Sequence, residues 1–314
     1  MTSFHDLGLA KPISRALIDE QYAVPTPIQT QTIPHVLAAR DVVGIAQTGT
    51  GKTAAFALPI LNRLSTIRLR PEGRSCRVLV LSPTRELSAQ IAQSFATYGR
   101  YLNPSVALAI GGVPIKPQIR ALTAGIDVLV ATPGRLLDLI QQRAIHLDRV
   151  EVFVLDEADR MLDMGFIHDI RKIVAKLPIK RQTLLFSATM PRQIADLANH
   201  MLHDPVRVAA TPAATTVDCV KQQIVHVDRA SKPALLAEIL RSESIDRALV
   251  FTRTKRGADK VVRALNKAGL AAEAIHSNKS QNQRERVLAA FRAGRVRTLI
   301  ATDIAARGMS AGTL

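Results

Sequence analysis

Short β-rich runs separated by helical stretches set the strongest limit on how this chain folds. Residues 42–46, 77–81, 106–110, 128–131, 152–155 and 183–186 are each followed by a small polar cluster and then a helical stretch. Runs that are apolar throughout belong to strands covered on both faces, and a strand–helix–strand rhythm builds a parallel sheet. Residues 209–217 (AATPAATTV) break the rhythm with small, polar and proline residues, which marks a linker. It resumes at 223–227, 249–251, 272–275 and 299–301. The expectation is an α/β chain of two parallel-sheet domains, residues 1–208 and 218–314, joined by a short linker at 209–217. Open parallel sheets bind ligands at the carboxyl ends of their strands, so the residues just after each run are the functional candidates.

Charge narrows the choice of partner. The chain has 42 Lys and Arg against 26 Asp and Glu, a net charge of +16. Residues 217–314 hold 18 basic and 9 acidic side chains, so +9 lies there and +7 in residues 1–216. A surplus on both halves fits a polyanion held through its phosphates, with a solvated charged face as the plainer alternative. Aromatics make up only 4% and tryptophan is absent, which argues against a binder that works mainly by stacking bases. No apolar run reaches the roughly 18 residues of a membrane span, and the start, MTSFHD, has neither a basic stretch nor an apolar signal core. The expectation is a cytoplasmic protein with no membrane partner. Cys76 and Cys219 match no metal spacing and read as reduced thiols.

Residues 46–53 read AQTGTGKT, after the first run and before a helix rich in Ala, Leu and Phe. Glycines let the backbone curl until its N–H groups face phosphate oxygens, and the helix N-terminus adds positive potential. The loop comprises Ala46, Gln47, Thr48, Gly49, Thr50 and Gly51; Lys52 would reach the β- and γ-phosphates and Thr53 would hold Mg²⁺. Ala46 stands where the strict pattern has glycine. The fifth run ends in Asp156, Glu157, Ala158 and Asp159. Successive carboxylates at a strand end suit one metal ion and one polarised water, with Asp156 near Mg²⁺ and Glu157 as the base. A mere helix cap is the rival reading, and the lysine loop in the same sheet favours catalysis.

With these motifs in order over residues 4–308, the chain resembles the DEAD-box ATP-dependent RNA helicase family. Within it the chain looks most like the bacterial RhlE-like branch, partly through residues 276–281 (HSNKSQ). The resemblance implies two tandem RecA-like domains, ATP and Mg²⁺ as cofactors, and RNA as partner, with ribosomal or RNA-degradation complexes as wider ones. It implies RNA-stimulated ATP hydrolysis coupled to local duplex unwinding or RNA–protein remodelling. It also implies an adenine-reading Q motif over residues 2–30, including Phe4, in which Gln29 hydrogen-bonds the adenine and Tyr22 stacks on it; Gln21 stands where glycine is usual. Pro83, Thr84, Arg85, Gly111, Gly112, Thr132, Pro133, Gly134 and Arg135 match RNA-contacting motifs, as do Thr252, Arg253, Gln281, Arg284 and Thr302 further on. Ser187 and Thr189 match the motif linking hydrolysis to strand separation, and Asp303 is placed at the nucleotide. Phosphate contacts carry no base code, so the particular RNA cannot be read.

The match fails after Gly308. The family continues with an apolar residue, an Asp and further sheet elements, whereas residues 309–314 read MSAGTL, with Ser310 at the Asp position. The later arginine-bearing motif is missing. The expectation is an incomplete, marginal second domain with residues 298–301 left as an exposed edge, and impaired turnover. An RNA-binding fragment without turnover is the runner-up function. Another P-loop ATPase, such as a DNA motor, is the third, and the Q motif counts against it.

Overall fold

The structure is a computed structural model and describes residues 3–67, 69, 71–210, 223–242 and 245–302. The chain divides into two compact units, Met1–Ala214 and Thr215–Leu314.

The first unit carries β1 (Val42–Ile45), β2 (Cys76–Leu81), β3 (Val106–Ala109), β4 (Ile126–Ala131), β5 (Val152–Leu155), β6 (Gln182–Ser187) and β7 (Val206–Ala209). Its helices are α1 (Lys11–Asp19), α2 (Pro27–Leu37), α3 (Lys52–Thr66), α4 (Arg85–Tyr98), α5 (Ile115–Leu122), α6 (Pro133–Gln141), α7 (Ala158–Asp163), α8 (Ile167–Val174) and α9 (Arg192–Met201). The strands form one seven-stranded sheet in the order β3-β4-β2-β5-β6-β1-β7, every pairing parallel. Successive strand residues point to opposite faces, so each strand feeds two cores. Val78, Val128, Val152, Val154 and Phe186 meet Phe56, Leu58 and Phe95 on one side. Leu79, Leu129, Phe153 and Leu185 meet Leu136, Met161 and Ile170 on the other. This two-sided burial is why the runs carry no polar alternation.

Strand β7 was not expected. It is a short, half-exposed edge strand, and Ala209, the first residue of the expected linker, pairs with Ile45. Asp41 ties it in: its carboxylate accepts from the backbone N–H of Thr183 and of His203, each at 2.7 Å. Residues 211–217 of the expected linker lie outside the described residues.

The second unit carries α10 (Lys232–Ser242), β8 (Ala248–Thr252), α11 (Lys255–Lys267), β9 (Ala272–Ile275), α12 (Gln281–Arg292) and β10 (Thr298–Thr302). Its parallel sheet has the order β8-β10-β9. This corrects the edge expectation: residues 298–301 form the central strand and are fully buried, because β10 inserts between the two strands that precede it in sequence. The incompletely covered strand is β8. Leu249 and Phe251 share a face with Leu299 and Ala301, where α12 packs Val287, Leu288 and Phe291, yet Phe251 remains 54% exposed. The expected strand at 223–227 is not one either; Ile224 is 86% exposed and pairs with no strand among the described residues.

Candidate nucleotide and nucleic-acid site

Sheet order divides the carboxyl edge of the first unit into two contiguous arcs. Strands β5, β6 and β1 are neighbours, and so are β3, β4 and β2. The first arc gathers residues 46–53, Asp156, Glu157, Ser187 and Thr189. The second gathers Pro83, Thr84, Arg85, Gly111, Gly112, Thr132, Pro133, Gly134 and Arg135.

In the first arc, α3 begins at Lys52 with Gly51 as its left-handed N-cap, φ 90°. A side chain there would collide with the Gln29 amide, so glycine is needed for conformation and space alike. Gln29 is buried at the third position of α2, inside a capping box with Thr26. Its Nε2 donates to the Gly51 carbonyl at 3.1 Å and its Oε1 accepts from the Thr26 N–H at 2.9 Å. The Thr26 hydroxyl donates to the Thr50 carbonyl at 2.8 Å. The glutamine expected at adenine therefore braces the 46–51 loop. Within the loop, the Thr50 hydroxyl donates to the Gln47 carbonyl at 2.8 Å, and Lys52 Nζ donates to the Ala46 carbonyl at 2.9 Å. Thr48, Gly49 and Thr53 complete it, Thr53 on the first turn of α3 and only partly covered.

Asp156 is 2% and Glu157 5% exposed. Burial pushes the Asp156 carboxyl above its usual range, and the Lys52 charge opposes that shift. Burial and the neighbouring Asp156 carboxylate push Glu157 up to about 7, although Arg160 Nη1 donates to its Oε2 at 2.9 Å. Glu157 sits at φ 54°, the left-handed region that costs a non-glycine residue about 1 kcal/mol or more. The turn into α7 thus holds a strained, desolvated carboxyl facing the lysine loop's neighbourhood.

Sequence reasoning assigned no role to Asp159, and the structure brings it into the site. Its Oδ2 accepts from the Thr189 N–H and hydroxyl, both at 2.9 Å, while the Ser187 hydroxyl accepts from the Asp159 N–H at 3.1 Å. Half-burial alone would raise its carboxyl, but the donors from Thr189 and Ser187 outweigh it and hold it below the usual range. The pairing of β5 with β6 brings Asp159 and these two residues together, since the turn after one strand lies beside the end of the other.

The aromatics expected beside adenine form a chain of edge-to-face contacts. Phe4 is buried against Tyr22 at 6.4 Å between ring centroids, and Tyr22 meets Tyr98 at 6.0 Å. Tyr22 remains partly exposed.

The second arc is built from helix starts and glycines. The Thr84 hydroxyl caps α4 by accepting from the Leu87 N–H at 3.2 Å. Thr132 caps α6 in position only, since its hydroxyl makes no cap bond; Pro133 follows at the first helical position, and Gly134 faces open space. Gly112 has φ 76°, and a side chain there would strike the Arg85 guanidinium, which also lies over Gly111. Arg135 is largely buried and donates to the Val113 carbonyl at 3.1 Å.

In the second unit, Thr252 and Thr302 end paired strands, and the Thr252 hydroxyl donates to the Ala301 carbonyl at 3.4 Å. Arg253 is exposed; Gln281 and Arg284 are buried on the first turn of α12. His276 Nε2 lies 3.1 Å from Asp259 Oδ1. Asp303 lies outside the described residues. Among the described residues no cluster of three or more His, Cys, Asp or Glu side chains could hold a metal, and no helix is long and apolar enough to cross a membrane.

Comparison with known proteins agrees with this arrangement. Residues 26–197 match the DEAD/DEAH box helicase family, and residues 231–313 match the helicase conserved C-terminal domain. RNA helicase CrhR of Synechocystis is 43% identical over all of this chain and 63% of its own length. ATP-dependent RNA helicase DeaD of Klebsiella pneumoniae is 42% identical over 98% of this chain and 47% of its own. The chain thus spans less than two thirds of these relatives. Among solved structures, a DEAD box protein from Methanococcus jannaschii aligns with 99% of this chain and 82% of its own at 37% identity and TM-score 0.63. Dbp5 of S. cerevisiae, bound to RNA and ADP BeF3, aligns with 98% of this chain and 77% of its own at 29% identity and TM-score 0.85. A family match over more than half of its residues, carried by motifs that converge on one sheet edge, makes this chain a member of the DEAD/DEAH-box helicase family.

Proposed function

We propose that the chain is an ATP-dependent RNA helicase module that couples RNA-stimulated ATP hydrolysis to local duplex unwinding or RNA–protein remodelling. One observation carries this reading: a buried lysine after β1 and two buried carboxyls after β5 flank β6 on one arc of the sheet, whose other arc presents threonine caps and glycines. In this proposal Lys52 leaves the Ala46 carbonyl for phosphate oxygens, the 46–51 backbone cradles them, and Gln29 and Tyr22 read the adenine beside Phe4. Glu157 takes a proton from the attacking water. Asp156 and the Thr53 hydroxyl would hold Mg²⁺, a sparse oxygen donor set of the kind that suits this ion. That ion would offset phosphate charge.

Thr84, Arg85, the 111–112 glycines and 132–135 hold RNA by its phosphates, with Thr252, Arg253, Gln281, Arg284 and Thr302 as the second unit's share. Ser187 and Thr189, joined to Asp159, couple the arcs. Asp303 at the nucleotide, the 1–208 and 218–314 boundaries, a cytoplasmic location, the RhlE-like branch and ribosomal or RNA-degradation partners belong to the same proposal. The test is ATP hydrolysis by the purified chain with matched RNA and DNA strands. Stimulation by RNA above DNA supports it; equal stimulation by both sinks the RNA assignment.

A further inference from the structure

The motif residues leave one strongly charged surface unused. Helix α11 reads KRGADKVVRALNK, and Arg256, Lys260, Arg263 and Lys267 recur at spacings of four, three and four. That spacing places them on one face of the helix, a stripe about 16 Å long at 1.5 Å per residue. All four side chains are exposed, while Ala258 and Leu265 on the opposite face enter the core. None of the four forms an ion pair among the described residues. The acidic residue of this helix, Asp259, faces His276 and Lys279 instead, with Nε2 at 3.1 Å and Nζ at 3.2 Å. Arg241 adds a further cation at the C-terminal end, donating to the Ala268 carbonyl.

Like charges three and four residues apart repel, so a line of unpaired cations opposes helix stability unless a polyanion occupies it. The stripe has a defined start. Helix α11 opens two residues after Arg253 and three after Thr252, both RNA-contacting positions under the proposed function, with Thr254 as its cap. Tracks of lysine and arginine without aromatic side chains bind phosphates and ignore base identity.

We infer that the outer face of α11 is an RNA-phosphate track that extends the second unit's footprint beyond the motif residues, holding the flank of a bound RNA. The inference rests on the proposed RNA function and concerns only where the flank runs.

The experiment compares the full chain with the triple variant Lys260→Glu, Arg263→Glu, Lys267→Glu, and with the milder triple Gln variant. Each is titrated with a short single-stranded RNA and with the same RNA extended by a flank at either end. The expected result is a loss of roughly tenfold for the flanked RNA in the Glu variant and a smaller one in the Gln variant. The slope of log K against log salt becomes shallower by about 2, some 0.7 per phosphate contact, and affinity for the short RNA is unchanged. Thermal melting of the Gln variant stays level or rises, because repulsion is relieved, and this guards against misfolding as the cause. Equal binding of flanked RNA by all three proteins overturns the track while leaving the RNA function intact. Failure of the unaltered chain to bind even the short RNA overturns both.

Discussion

Strands β5 and β1 lead into buried charges, with β6 between them ending in Ser187, whereas β3, β4 and β2, in the same sheet, lead into threonines, glycines and Arg135 braced on a backbone carbonyl. In the first arc, desolvation raises both Asp156 and Glu157, and the fold tolerates left-handed strain at Glu157 to hold it in place. In the second, rigid placement is what matters. Bond-breaking needs groups poised near neutrality in a dry setting. Gripping a backbone needs donors fixed in space. The two arcs therefore respond differently to substitution, and that difference can be broken or sharpened.

The largest contrast comes from Lys52→Ala. ATP turnover should fall by about 10³-fold, the scale of a lost electrostatic contact to the reacting phosphates, while RNA affinity without nucleotide stays constant. Steady-state hydrolysis and RNA titration together check it. The mirror experiment is Gly112→Ala, which forces a left-handed backbone on alanine and displaces Arg85. RNA affinity should drop roughly tenfold, as for one charge-assisted contact, with nucleotide affinity unchanged by fluorescent-analogue titration.

A smaller effect concerns pH in the metal- and nucleotide-free protein. The Glu157 pKa is about 7 in the folded chain against an ordinary 4.5. Between those values the folded state keeps a proton that the unfolded chain has released, so the residue's contribution to stability declines as pH rises through that window. Glu157→Gln should melt higher than the unaltered chain above pH 7, by a few degrees, and converge with it near pH 5. The smallest effect separates two caps: Thr84→Ala should cost about 1 kcal/mol in denaturant unfolding, whereas Thr132→Ala, which loses no cap bond, should cost little stability and weaken RNA binding instead.

Much of this was legible from sequence because parallel strands buried on both faces announce themselves as unbroken apolar runs, and because a phosphate loop needs glycines at fixed spacing. Strand β7 was not, since a half-exposed edge strand reading VRVA has no unbroken run. The central place of β10 was hidden because strand order is a long-range property: nothing local in residues 298–301 says that they insert between β8 and β9. The unpaired segment at 223–227 shows the converse, an apolar run that finds no partner among the described residues. Asp159 was missed because its partners, Ser187 and Thr189, are some 30 residues away and meet it only through the β5–β6 pairing.

Calorimetric titration of Mg²⁺ and a nonhydrolysable ATP analogue into the unaltered chain, Lys52→Ala and Arg85→Ala tests the division of the sheet edge most directly. The account predicts binding lost by at least about tenfold in Lys52→Ala and preserved within about twofold in Arg85→Ala. Unchanged affinity in Lys52→Ala, or equal loss in both variants, would contradict it.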